Sequence, residues 1–319
     1  MEPALQIISS TGVLPSAIVL KSEEALPLGT ALLKGGLPAL ELRFNEVTEE
    51  VLQILSSNLP EIIPGVLVRT TEEAERSVRA GARFISSVAF NAKIVDTCQA
   101  LKIDILPGAS SPRDFEESLA LGVTTTRFFS TGCSGETGVL PIFADVWPEM
   151  RFIVVEEVTP ESLRHCPLPP NVDALCTGRV TERALIESKD FEEISRRAEE
   201  FLFAIHNFSL LHIGINNAKE EDAIAAAQKL AFLFVFKLRE RPNSMFADPG
   251  FELMKTPDFG KNGHVAIGVN DIPRALTFLH RKGISVISGT ERYNDDGSMR
   301  RVYLDLEISG FAFHLRSYK

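Results

Sequence analysis

The sequence predicts an α/β chain in two parts: a (β/α)8 TIM barrel over residues 1–205, then a smaller α+β domain built as a duplicated βαβββ unit over residues 209–319. Three observations predict it. Up to about residue 205, short apolar runs alternate with amphipathic stretches, and eight such runs can be counted. From about residue 209 that alternation gives way to closely spaced strand patterns. Within the second part LLHIGIN (210–216) recurs as GHVAIGVN (263–270), each with a histidine early in the segment.

The eight runs are VLPSAIVL (13–20), LPALELRF (37–44), EIIPGVLV (61–68), RFISSVA (83–89), DILPGA (104–109), TTTRFFS (124–130), RFIVVEE (151–157) and DALCTGRV (173–180). Between them lie stretches such as EEALPLGTALLKGG, TEEAERSVRAGA and PRDFEESLALG, several of which carry the glycine that stops a helix near their ends. Strand–helix units of this length pair in parallel through right-handed crossovers, and eight of them close a barrel. A doubly wound open sheet is the alternative, but no Gly-rich dinucleotide fingerprint is present. TERALIESKDFEEISRRAEEFLFAIHNF (181–208) reads as the last barrel helix running into a connector. The second part then gives LLHIGIN, a helix AKEEDAIAAAQKLA, FVFKLRE, NSMFAD and FELMKTP, followed by HVAIGVN, a helix IPRALTFLHRKG, ISVIS, RVYLDLE and FAFHLRS. A unit this small, repeated once, implies pseudo-two-fold pairing around a shared cleft.

With 319 residues the chain has room for two domains, and 45% hydrophobic with 24% charged residues is ordinary globular composition. A formal net charge of −10 argues against nucleic-acid and anionic-membrane partners, whose phosphates would be repelled. Four cysteines, Cys98, Cys133, Cys166 and Cys176, lack CxxC spacing and read as free thiols, not a disulfide framework or zinc ribbon. MEPALQIISSTG at the start has neither the basic nor the apolar region of a leader, and no apolar run reaches the roughly 18 residues of a span, so the expected location is the cytoplasm.

The first part resembles the 2-keto-3-deoxy-6-phosphogluconate / 4-hydroxy-2-oxoglutarate aldolases over about residues 11 to 182, through KGGLPALELRF, AGARFIS, LPGASSP, ALGVTTTRFF and LPPNVDALCTGRV. The resemblance implies a lyase, commonly trimeric, that cleaves a 2-oxo-4-hydroxy acid to pyruvate and an aldehyde with no cofactor in the barrel. Such chemistry needs a lysine on the sixth strand, whose amine forms an imine with the substrate ketone and so provides the electron sink. The matching residue here is Arg127. A guanidinium stays protonated and offers no free lone pair, so it cannot make that imine. The family's acid–base glutamate corresponds to Glu41, and the arginine four residues on is replaced by Asn45, with Arg43 nearby. Pro107 and Gly108 are further substrate-binding candidates. The third-strand turn reads Pro64-Gly65-Val66-Leu67, and the turn after the eighth strand reads Thr177-Gly178-Arg179. The paired glycines that would cradle phosphate after the seventh strand are Glu156-Glu157, whose charge would repel it.

Three readings of Arg127 stay open. It forms a structural ion pair with Glu41 or Glu156; or it grips a substrate carboxylate as a bidentate fork with Glu41 as general base; or another lysine (Lys21, Lys34, Lys93 or Lys102) takes over the imine. All four lysines read as helical or as lying away from the C-terminal face where barrel sites form. Glu41, Glu156 and Glu157 could also be drawn as a metal site, but no histidine joins them.

The second part resembles the glyoxalase / vicinal-oxygen-chelate superfamily through LLHIGI, GFELMK, NGHVAIGV and GFAFHL. The resemblance implies metal ligands on the first, fourth, fifth and eighth strands, and these positions hold His212, Glu252, His264 and His314. The last is a histidine where glutamate is usual, still a good ligand for Zn, Ni, Fe, Mn or Co. The alternative is that the four only hydrogen-bond one another. His165, His206 and His280 read as surface or core residues, and GTERYNDDGSMRRVYLDL (289–306) as a hairpin turning at Asp-Gly.

The expected functions are therefore an aldolase-family protein acting on or binding a small 2-oxo acid, a metal-dependent isomerase or lyase centred on the second part, or a non-catalytic scaffold or metabolite sensor. A homo-oligomer, a trimer by resemblance, is expected, with no nucleic acid or membrane partner.

Overall fold

A computed structural model describes residues 3–129, 139–165 and 168–318. Ser130, Cys133 and Cys166 lie outside them. The chain divides into two compact units, Met1–Ile205 and His206–Lys319. No helix among the described residues is long and apolar enough to cross a membrane.

In the first unit the strands are β1 (Val13–Ala17), β2 (Ala39–Arg43), β3 (Ile63–Val68), β4 (Phe84–Ser87), β5 (Asp104–Leu106), β6 (Gly108–Ala109), β7 (Thr125–Phe129), β8 (Arg151–Val155) and β9 (Val172–Thr177). All pair in parallel, in the order β5-β4-β3-β2-β1-β9-β8-β7-β6. Nine strands arise from eight runs because DILPGA is split at Pro107, which has no amide to give a ladder. The Pro107 carbonyl instead accepts from the Arg127 amide at 2.8 Å. Since β5 pairs with β4 and β6 with β7, this broken run carries the sheet around to its other edge.

Helices between the strands begin and end as their sequences direct. The Thr70 hydroxyl caps helix Thr71–Ala80, accepting from the Glu73 amide, and Gly81 ends it at φ 110°. Ser111 and Asp114 form a reciprocal capping box on helix Pro112–Ala120. The sequence reading assigns no element before residue 13, yet a helix spans Ala4–Thr11. Its buried Ala4, Ile7 and Ile8, spaced for one helical face, pack with Leu14, Ala39, Ile63, Phe84, Leu106 and Ile153 inside the barrel. Several of these begin their strands, so the helix fills the N-terminal end of the barrel and leaves the C-terminal end for a site.

The second unit runs β10 (Ser209–Asn216), helix Glu220–Phe234, β11 (Lys237–Glu240), β12 (Ser244–Asp248) and β13 (Phe251–Met254). It then repeats as β14 (Gly263–Val269), helix Ile272–Arg281, β15 (Arg292–Tyr293), β16 (Met299–Ile308) and β17 (Phe311–Ser317). Sheet order is β11-β12-β13-β10-β14-β17-β16-β15, the first half mirrored by the second. β10 and β14 meet antiparallel at the centre, and each pairs in parallel with the last strand of its own half, β13 or β17. One expected strand is corrected: ISVIS supplies only an isolated bridge, Val286 to Leu304, and β15 lies further on. The hairpin between β15 and β16 turns at Asp296-Gly297, with Gly297 at φ 83°.

Candidate functional site

Strand parity and register bring a polar layer into the barrel above the apolar one. Ser16 stands opposite Glu41 on the neighbouring strand, and Arg127 points inward from β7 while Phe128 points out to an aromatic cluster with Phe115 and Phe152. Glu41 is fully buried and Arg127 is 3% exposed. Arg127 donates from Nε to Glu41 Oε1 at 3.2 Å and from Nη2 to Oε2 at 3.1 Å. Glu41 also accepts from the Ser86 hydroxyl at 2.7 Å and the Ser16 hydroxyl at 3.1 Å. Burial opposes the Arg127 charge, but Glu41 and Cys176 outweigh it and its pKa is raised. Burial pushes the Cys176 thiol well above its ordinary pKa, with Glu41 adding to the shift. The Cys176 sulfur lies 3.6 Å from Glu41 Oε2.

Both Glu41 oxygens are thus held by a guanidinium and two hydroxyls, and the carboxylate is fully buried, the arrangement of a structural ion pair. Ser16, Ser86 and Cys176 were not anticipated as members of this layer, although their parity on the strands would have put them there.

Over Arg127 lies a cavity of about 530 Å³, walled by residues at the C-terminal ends of the strands. Arg43, Arg69, Arg127 and Glu157 all line it, beside Phe129 and Thr177. Arg43 is exposed, and its guanidinium has no hydrogen-bond or ion-pair partner among the described residues. Arg69 reaches Glu73 at 3.3 Å. Glu157 accepts from the Gly178 amide at 3.0 Å and faces Arg179 at 3.4 Å. A carboxylate thus occupies the backbone amide after the eighth barrel position. Its neighbour Glu156 is half-buried, with its own amide bonded to the Cys176 carbonyl at 3.1 Å.

Asn45, Pro107 and Gly108 are not brought to this cavity. Asn45 is spent locally: its side-chain amide donates to the Val19 carbonyl at 2.7 Å and its oxygen accepts from the Val47 amide. Pro107 is used in the β7 contact described above. Gly108 is buried, and a Cβ there would run into the Val88 and Ser87 carbonyls. Among the described residues no lysine lines the cavity. Lys21, Lys34, Lys93 and Lys102 are all exposed, and Lys34 pairs with Glu192 at 2.6 Å.

In the second unit the repeat places four side chains on one face of the sheet. His212 on β10 and His264 on β14 approach with their Nε2 atoms 3.3 Å apart. Both reach Glu252 Oε2 on β13, at 3.1 and 3.2 Å. Ligand atoms of His212, His264 and His314 all lie within 4.8 Å of one another. Gly214, opposite His264, leaves the space its ring fills, since a Cβ there would collide with it. The Ser244 hydroxyl fixes the other Glu252 oxygen at 2.7 Å. Burial opposes the Glu252 charge, but hydrogen bonds from His212, His264 and Ser244 hold its carboxyl well below the usual range. Burial, with the neighbouring histidines and Arg301, lowers His314 to about 3, so its ring is neutral and its buried Nδ1 has no hydrogen-bond partner.

Three imidazoles and a carboxylate are a donor set suited to a divalent transition metal. Spacings of 3.1 to 3.3 Å among the donor atoms of His212, His264 and Glu252 match those around one ion at bond lengths of roughly 2.0–2.2 Å, with His314 within 4.8 Å of the other two rings. The residues fit such a group. His206 belongs to neither site: it is buried between Phe208 and Phe278, and desolvation lowers it to about 3.

A family model described as KDPG and KHG aldolase matches residues 5–197. The 2-dehydro-3-deoxy-phosphogluconate aldolase of Haemophilus influenzae is 27% identical over 192 residues, covering 60% of this chain and 91% of that protein. The protein of the same name from Treponema pallidum is 26% identical over 192 residues, with the same coverage of 60% and 91%. In fold, the first unit is like the KDPG aldolase of Legionella pneumophila, solved with pyruvate captured as a covalent carbinolamine. That likeness has a TM-score of 0.58 at 24% identity and covers 62% of this chain and 97% of that one.

Proposed function

The chain belongs to the KDPG and KHG aldolase family over residues 5–197, and from that premise we propose that its barrel binds a small 2-oxo acid without the family's imine step, Arg127 standing in the place of the lysine. The observation that carries this reading is a cavity whose described lining includes arginines and no lysine. Without an imine there is no electron sink for carbon–carbon cleavage along that route. What remains is recognition of an anion. Arg43 presents an uncommitted guanidinium, and Arg127 forms part of the wall, neutralised from behind by Glu41. Glu157, seated on the Gly178 amide, puts a negative charge where a phosphate would otherwise dock, which favours an unphosphorylated 2-oxo acid.

Calorimetric titration with pyruvate tests this. Saturable binding is expected, weakened at least tenfold by Arg43→Gln, a loss of about 1.4 kcal/mol, and unchanged by Arg316→Gln in the second unit. Absence of binding, or affinity indifferent to Arg43→Gln, would sink the proposal.

A second reading is favoured by the convergence of His212, His264, His314 and Glu252. The second unit is then a domain of vicinal-oxygen-chelate type that holds one divalent ion, Zn, Ni, Fe, Mn or Co. When bound, the ion would supply Lewis-acid polarisation of adjacent substrate oxygens. The chain's part is to present three imidazoles on one face, to hold Glu252 ionised, and to orient that carboxylate through Ser244.

A further inference from the structure

We infer that the second unit carries a binding site for a small, multiply charged anion, a phosphorylated or polycarboxylated molecule, beside the histidine cluster. Arg239, Arg241, Arg292, Arg300, Arg301 and Arg316 line a single cavity of about 330 Å³, with Phe246. In a chain with 43 acidic and 33 basic residues, six guanidinium groups in one hollow are a local inversion of charge.

Their partners do not account for them. Arg239 meets Asp248 at 3.4 Å, and Arg292 donates to the Gly289 and Glu291 carbonyls. The side chains of Arg241, Arg300, Arg301 and Arg316 have no hydrogen-bond or ion-pair partner among the described residues, and Arg301 Nε is buried without one. Arg301 and Arg316 are directly opposite each other on β16 and β17, a like-charge cross-strand pair that destabilises a sheet unless something lies between. A bound anion removes that repulsion, and the planar fork of arginine matches carboxylate and phosphate oxygens.

Parity ties the cavity to the cluster. Tyr303 and His314 are opposed two residues along from Arg301 and Arg316, and so share their face. The Arg301 guanidinium lies 5.4 Å from the Tyr303 ring, which is 4.9 Å from His314. On the other flank Arg239 stacks 4.9 Å from Phe246, whose ring is 5.5 Å from His212. One aromatic ring on each side separates arginines from histidines. The concave shape and modest volume suit a metabolite, not a polymer. The inference rests on the arginines alone and stands whether or not the histidines hold a metal.

The test is calorimetric titration of the full chain, stripped of metal on a chelating resin, with inorganic pyrophosphate and separately with tricarballylate, at low ionic strength. One saturable site is expected for at least one of the two, and the tighter of them gives the anion's class. The double variant Arg301→Gln, Arg316→Gln should bind at least tenfold more weakly, and Arg113→Gln, at an exposed arginine of a barrel helix, should bind as the native chain does. The unliganded double variant should melt no lower than native, because it loses like-charge contacts, so lost binding cannot be ascribed to misfolding. The inference is overturned if neither anion binds, or if binding survives the double substitution.

Discussion

Glu41→Ala lowers the stability of the barrel unit by about 3–5 kcal/mol, because it leaves the nearly buried Arg127 cation without its carboxylate partner. Arg127 is 3% exposed, and apart from Glu41 its described contacts are a long approach to the Cys176 sulfur at 4.0 Å and the Phe129 ring at 4.6 Å. Neither replaces a carboxylate. The double replacement Glu41→Leu, Arg127→Met removes both charges together and should recover most of the loss, since an apolar pair of similar volume escapes the desolvation cost. Trp147, the only tryptophan in the chain, reports the measurement. It packs edge-on to Phe115 and Phe143 in the barrel unit, so its fluorescence follows denaturant unfolding of that unit. A cost below about 1 kcal/mol for Glu41→Ala would mean that water reaches the guanidinium and that the pair is not a buried structural element.

The second large effect concerns the histidine face. Protein purified without chelator should carry one equivalent of a divalent metal by elemental analysis, and His212→Ala and His264→Ala should each lose it. Free metal at a hundredfold excess over its dissociation constant stabilises the holder by about 2.7 kcal/mol, so the second unit's transition should rise on loading and fail to rise in the variants. The local geometry gives the reason. For both rings to donate to Glu252 Oε2, both must carry hydrogen on Nε2, and those two atoms then stand 3.3 Å apart, donor facing donor. A cation between three nitrogens and the carboxylate removes that conflict. Native protein that neither contains a stoichiometric metal nor takes one up would leave the four residues as a hydrogen-bonded cluster only.

The features legible in the sequence were those carried by local pattern. Apolar runs ending in glycine-terminated helices placed the barrel strands, and the LLHIGIN repeat placed β10 and β14 at equivalent positions. The break at Pro107 was written in DILPGA but read through as one strand. The helix Ala4–Thr11 went unassigned because its eight residues carry a short apolar face that makes sense only against a barrel end. ISVIS has the composition of a strand, yet its partner β16 gives it one bridge.

At the sites, residue types were legible and their surroundings were not. Arg127 and Glu41 were singled out, but their mutual burial depends on Ser16, Ser86 and Cys176, which come from three other strands. Asn45 looked like a ligand contact by position, whereas its side chain is consumed by Val19 and Val47. The arginine cavity is not legible in the sequence, because its members are spread over residues 239 to 316. One signal was available: alternation puts Arg316 on the face of His314 and Arg301 on the face of Tyr303.

On the proposed reading, the barrel offers no amine to a keto acid. Native protein incubated with pyruvate and borohydride, digested and mapped by mass spectrometry, tests it most directly. No reduced adduct is expected on any barrel peptide under conditions that label a lysine-bearing member of the family. A pyruvate-derived mass increase localised to a lysine within residues 1–205 would contradict it.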